Sequence, residues 1–274
     1  MSNPVFSRKG GGIPTASPQG GYATWNNAPA PTQQGYGDPQ QYGAPPQQYG
    51  TAPTNQYMTL DDVVVRTAAT VGTVIATGAA TMVLLPVESA IGWALPAALI
   101  GFVLALVIIF KQITNPAAIL AYAGIEGVFL GGISKVFETL YPGIVIQAVI
   151  GTFGVFAGML VVYKTGAIRV TPKFTRWLTG ALIGVVVLML VNLVAGFFTA
   201  GGLGLRDGGP LAIIFSLVCI GVAAFTFLVD FDVVDQAIRR GAPQRFAWFA
   251  AFGMVVGLVW LYLEILRLLS YFRE

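Results

Sequence analysis

Five carboxylates stand where the chain is otherwise almost free of charge. Asp230, Asp232 and Asp235 close one apolar run, Glu264 lies inside the next, and Glu126 sits in the middle of an earlier one. A charge left in hydrocarbon costs several kcal/mol, so an ionisable group at membrane depth calls for a reason. Two acids sharing a poorly hydrated site cannot both ionise cheaply, and one of them then takes up a proton near neutrality. Both ionised, they attract a divalent cation, which prefers oxygen ligands. With one protonated, they can hydrogen-bond to each other and hold two helices together. Such a pair is a gate biased by pH and by Ca²⁺, and it needs neither histidine nor cysteine.

Each acid also has a plainer reading. Glu126 has no basic neighbour in sequence, and serves either a function or as a protonated or hydrogen-bonded glutamate that knits helices together. Arg267 lies one turn beyond Glu264, so an i,i+3 ion pair is open. Trp260 and Tyr262 beside it have the character of interface-belt aromatics. Asp235 and Arg239 have the spacing of a helix-surface pair, and Asp232 and Asp235 lie near the aqueous edge marked by the basic turn Arg239-Arg240-Gly241-Ala242-Pro243. Asp230 is the deepest of the three.

The elements that must position these groups are membrane helices. The chain is 55% hydrophobic and 10% charged, with a mean hydropathy of +0.74, whereas soluble domains carry about a quarter charged residues. The sequence has no histidine and one cysteine, Cys219. That removes Ser-His and Cys-His catalysis, an intrachain disulfide and Cys-rich metal sites. Cys219 lies in an apolar run and reads as a small hydrophobe.

Seven stretches are long enough to cross a bilayer, which takes about 20 helical residues: 64–86, 90–110, 115–137, 142–164, 174–199, 210–234 and 245–272. Pro86, Pro116, Pro142, Pro172, Pro210 and Pro243 fall at or near their ends, where proline is easiest to accommodate. Gly127–Gly131 and Gly154–Gly158 are small-xxx-small spacings that let a neighbouring backbone approach closely. Residues 1–57 form a separate region with recurring Gln-Gln-Tyr-Gly units and few aliphatic residues. This composition predicts a disordered tail, read either as a solvated extension or as a Tyr-rich segment that binds a protein partner. The domain plan is thus a tail over 1–57 and a seven-helix domain over 58–274.

Arg66, Lys111, Lys164, Arg169, Lys173, Arg176, Arg239, Arg240 and Arg245 fall on the side of the N-terminus, and Lys135, Arg206, Arg267 and Arg273 on the other. That bias places the tail in the cytoplasm of a bacterial-type cell membrane and the C-terminus outside.

Three stretches resemble the Bax inhibitor-1 / YccA family, also called the transmembrane Bax inhibitor motif family. Glu126-Gly127 through Leu130-Gly131-Gly132 looks like its glycine-rich third helix. Pro142-Gly143-Ile144 through Gly151-Thr152 to Tyr163 looks like its fourth. Leu228-Val229-Asp230 followed by Leu261-Tyr262-Leu263-Glu264 looks like its paired acidic motif. The resemblance covers 64–272 and leaves the tail out. It implies an all-α, seven-helix membrane bundle with the last helix near its centre. It also implies a pH-sensitive Ca²⁺ leak whose sensor and gate are two aspartates on the sixth and seventh helices. Carried over, these are Asp230 and Glu264, which would also be the ligands of a bound Ca²⁺. Lys111 is the candidate for the family's basic latch on the sixth-helix acid.

This chain departs from the family in two ways. A glutamate replaces the second aspartate, and the interval between the acids is long. A hairpin turning near Gly241 puts Asp230 level with Met254, and Glu264 ten residues further, about 15 Å at 1.5 Å per residue. Either the first turns after Pro243 lie outside the membrane or along its surface, or the two acids do not touch and Glu126 becomes the partner of Glu264. Two other functions compete with the leak: a non-conducting regulator acting through protein partners, and an intramembrane aspartyl protease, although no Gly-rich acidic protease signature surrounds either acid. The basic residues are few and scattered, which argues against nucleic-acid binding.

Overall fold

The computed structural model describes residues 57–199 and 202–273, and the tail over 1–56 lies outside them. Seven helices follow in order: α1 (Leu60–Leu84), α2 (Val87–Lys111), α3 (Pro116–Leu140), α4 (Ile144–Thr165), α5 (Pro172–Gly196), α6 (Pro210–Arg239) and α7 (Phe246–Tyr271). All seven are long and apolar enough to cross a membrane. Their starts follow from local chemistry. Thr59 and Asp62 form a capping box on α1, and Asn115 and Thr171 cap α3 and α5 with proline at the first helical position. α6 runs about five residues past its expected end at 234. Gln236 donates to Asp232, Arg239 pairs with Asp235, and Arg240 donates to Gln236, so i,i+4 contacts carry the helix beyond the apolar run.

α7 is the most buried span and packs against α1, α3, α4 and α6. This matches the expectation of a central last helix. α2 lies on α3, and α5 lies on α6. Short connections alternate the helix direction, so α1 begins at one end of the bundle, the proximal end. The α6–α7 turn shares that end, while the α3–α4 and α5–α6 connections lie at the distal end.

The two glycine spacings differ in use. A Cβ on Gly127 would lie 2.5 Å from Val74 O, and one on Gly131 would strike Gly78 O, so α1 and α3 meet backbone to backbone. Gly154 and Gly158 face open space. Among the described residues the second spacing packs no helix.

At the proximal end α1 is tied to the α6–α7 turn. Met58 N–H donates to Ala242 O, Arg66 donates to Gln244 O, and Gln244 donates to Asp62. The Arg66 guanidinium lies over the Trp248 ring. Cys219 is fully buried in an apolar cluster between α5 and α6, as expected of a small hydrophobe.

Candidate functional site

The register of the α6–α7 hairpin decides which acids can meet. A Cβ on Gly257 would lie 2.9 Å from the Phe227 ring, so these two positions are level. Asp230 is three residues closer to the turn than Phe227, and Glu264 is seven residues further from it than Gly257. The ten-residue offset is about 15 Å along the axis. The structure therefore does not bring the carried-over pair together. No part of α7's start lies aside to shorten the interval, because α7 is helical and packed from Phe246 onward.

Glu264 has other partners. Its Oε1 lies 3.3 Å from Arg206 Nη2 and 3.0 Å from Arg267 Nη1, and its side chain is 3% exposed. Its Oε2 is buried and has no hydrogen-bond partner among the described residues. Arg267 was legible as an i,i+3 neighbour. Arg206 was not, since it comes from the α5–α6 connection 58 positions earlier. Burial and the nearby Arg267 pull the Arg206 guanidinium below its usual value, against the pull of Glu264. It stays cationic, because an arginine titrates far above neutrality. A carboxylate flanked by two guanidiniums is poorly placed to bind a cation, so Glu264 does not fit the expected role of a Ca²⁺ ligand shared with Asp230. Among the described residues no three acidic, histidine or cysteine side chains cluster as metal ligands.

Asp230 and Glu126 are in the opposite situation. The ion pairs among the described residues are Asp62–Arg66, Arg206–Glu264, Asp235–Arg239 and Glu264–Arg267, and neither acid belongs to one. Asp230 is partly buried on α6. Lys111, the candidate latch, is exposed at the end of α2 and makes no ion pair there. Glu126 is buried on α3 with Oε2 turned toward α2, where a Cβ on Gly101 would lie 2.8 Å from it. Tyr122 stacks edge-on against Phe252 and Ser134 bonds Tyr262, so Glu126 lies about level with Val255. That is nine residues, about 14 Å, short of Glu264. The alternative Glu126–Glu264 pair is therefore not formed either. Asp230 and Glu126 do share one depth, on α6 and α3, each of which packs on α7.

The remaining acids are surface groups. Asp232 accepts from Gln236 at 2.6 Å, and Asp235 pairs with Arg239 at 2.8 Å in the open. Tyr262 is not an interface aromatic. It is buried, and its hydroxyl lies 2.6 Å from Ser134 Oγ, a link between α3 and α7 that no sequence spacing announces.

Comparison with known proteins bears on the family. The model of the family described as Bax inhibitor 1 like matches residues 3–274. The chain belongs to that family. The match takes in the tail, which the resemblance over 64–272 left out. An uncharacterized protein of Chlamydia muridarum (strain MoPn / Nigg) is 31% identical over 137 residues, 48% of this chain and 52% of the relative. The chain thus spans about half the length of the curated relative it matches. In this Bax inhibitor 1 like protein Glu264 on the seventh helix lies about three turns from Asp230 on the sixth and is clamped by two arginines.

Proposed function

We propose that the protein is a pH-sensitive cation leak, with Ca²⁺ as a transported ion, in which proton occupancy of Asp230 sets whether a cation can pass. The observation that carries this reading is the contrast in partners. Among the described residues no basic side chain pairs with Asp230, or with Glu126 at the same depth, whereas two pair with Glu264. An uncompensated carboxylate in a poorly hydrated bundle is a place where a proton and a cation compete for the same oxygens. Glu264 then acts as a tie that closes the distal end, fastening the α5–α6 connection to α7. The Lys/Arg bias supports a cytoplasmic proximal end, so Asp230 would sense the cytoplasmic side.

The test is Ca²⁺ flux into vesicles holding the full chain, measured across a pH series. Asp230→Asn is expected to flatten the pH response, and Glu126→Gln to shift it less. Equal flux and equal pH response in wild type and Asp230→Asn would sink the proposal. Deleting residues 1–52 spares the Tyr57 and Met58 contacts with the α6–α7 turn. A leak should survive that deletion, and loss of flux would favour the regulator acting through the tail.

A further inference from the structure

α1 and α4 both pack on α7 but not on each other. Between them lies a cavity of about 350 Å³, open to the side, floored by α3 and α7. Along α1 it runs from Val71 to Met82, eleven residues or about 16 Å. Room of that length and volume takes an extended acyl chain. The walls are almost wholly apolar; of the three hydroxyls there, Ser134 and Tyr262 bond each other and Thr152 donates to Ala148 O. No polar group is left to hold water, and an unfilled slot would forfeit dispersion contacts along its whole lining. At this depth the surrounding medium is acyl chain.

The distal mouth carries charge. Lys135 Nζ donates to Met82 O and Leu85 O on the α1 side, which uses two of its three donors. Arg273 donates to Tyr141 O, Pro142 O and Gln147 on the α4 side. Glu138 lies one turn beyond Lys135 on α3, and its two oxygens are taken by the Gly143 and Val145 N–H groups. Two cations against one engaged acid leave the rim positive.

We propose that this groove binds one acyl chain of an anionic phospholipid, with the phosphate at the rim between Lys135 and Arg273. The chain fills the slot lengthwise against Val149, Leu258 and Ala79, and the lipid becomes a wedge between α1 and α4.

The experiment uses the full protein in vesicles of phosphatidylcholine or phosphatidylglycerol bearing a photoreactive diazirine midway along one acyl chain. Labels are expected to concentrate on 71–82 and 145–153, severalfold more with phosphatidylglycerol than with phosphatidylcholine. Ala79→Phe and, separately, Val149→Phe should each cut that labelling about tenfold, because a ring and a chain cannot share the space. Lys135→Gln with Arg273→Gln should remove the headgroup preference. Labelling spread evenly over the outer faces of α2 and α5 as well would overturn the site, and so would labelling unchanged by both phenylalanines. Equal labelling by the two headgroups would overturn the role of the rim. Cross-links between copies at 71–82 would give the groove to a second copy instead. The wild-type label distribution decides even where a variant fails to fold.

Discussion

Glu264 and Asp230 lie on neighbouring helices about 15 Å apart along the axis, and their surroundings are opposite. Glu264 is enclosed, touches two guanidiniums and joins a connecting segment to the central helix. Asp230 is partly buried and has no ionic partner among the described residues. The two share a residue class and an apolar setting, and those were the features that first grouped them. Compensation separates them: a neutralised acid holds structure, and an uncompensated one remains free to exchange a proton or meet a cation.

The largest effect should come from removing the compensated acid. Glu264→Gln leaves Arg206 and Arg267 facing each other without a counter-charge. Both arginines are about a quarter exposed, so solvent screens part of the cost and the loss should lie near the low end of broken buried pairs, about 3 kcal/mol. Thermal unfolding in detergent reads this. Asp230→Asn should leave the same transition in place or raise it. If the two variants destabilise equally, compensation is not what distinguishes the sites.

The next effect separates the two glycine spacings. Gly131→Ala pushes a methyl into Gly78 O, and α1 must shift to admit it, at about 2 kcal/mol. Gly154→Ala meets nothing within 4 Å and should be neutral, or stabilising by less than about 1 kcal/mol through reduced chain entropy. Unfolding midpoints of the two variants check this. A destabilising Gly154→Ala would mean that α4 has a partner which the single chain lacks.

How much could be read from the chain follows the same division. Helix number and placement were legible because runs of apolar length and terminal prolines are local signals. α6 ran long because the Asp232, Asp235 and Arg239 spacing continues a helix that hydropathy alone ends early. The hairpin arithmetic from Gly241 already put Asp230 level with Met254, and Phe227 against Gly257 agrees with it. The partners of Glu264 were half legible. Arg267 is one turn away on the same helix, while Arg206 reaches it only through the folding of the α5–α6 connection. The Ser134–Tyr262 bond and the groove between α1 and α4 arise from which helices pack on which, and no spacing within one helix encodes that.

The smallest effect tests the other limit of compensation. Asp235 and Arg239 are paired at 2.8 Å, closer than either arginine is to Glu264, yet their side chains are 40% and 76% exposed. Water already solvates both groups, so their attraction is offset by hydration and by the freedom lost in holding two side chains together. Asp235→Ala should change stability by less than about 0.5 kcal/mol, and raising the salt concentration should shrink even that. The same salt series should move the Glu264→Gln deficit proportionally less, because Glu264 is 3% exposed and its arginines only about a quarter. If Asp235→Ala instead matches Glu264→Gln, distance rather than burial governs these pairs, and the contrast between Glu264 and Asp230 would have to rest on proximity to arginine alone.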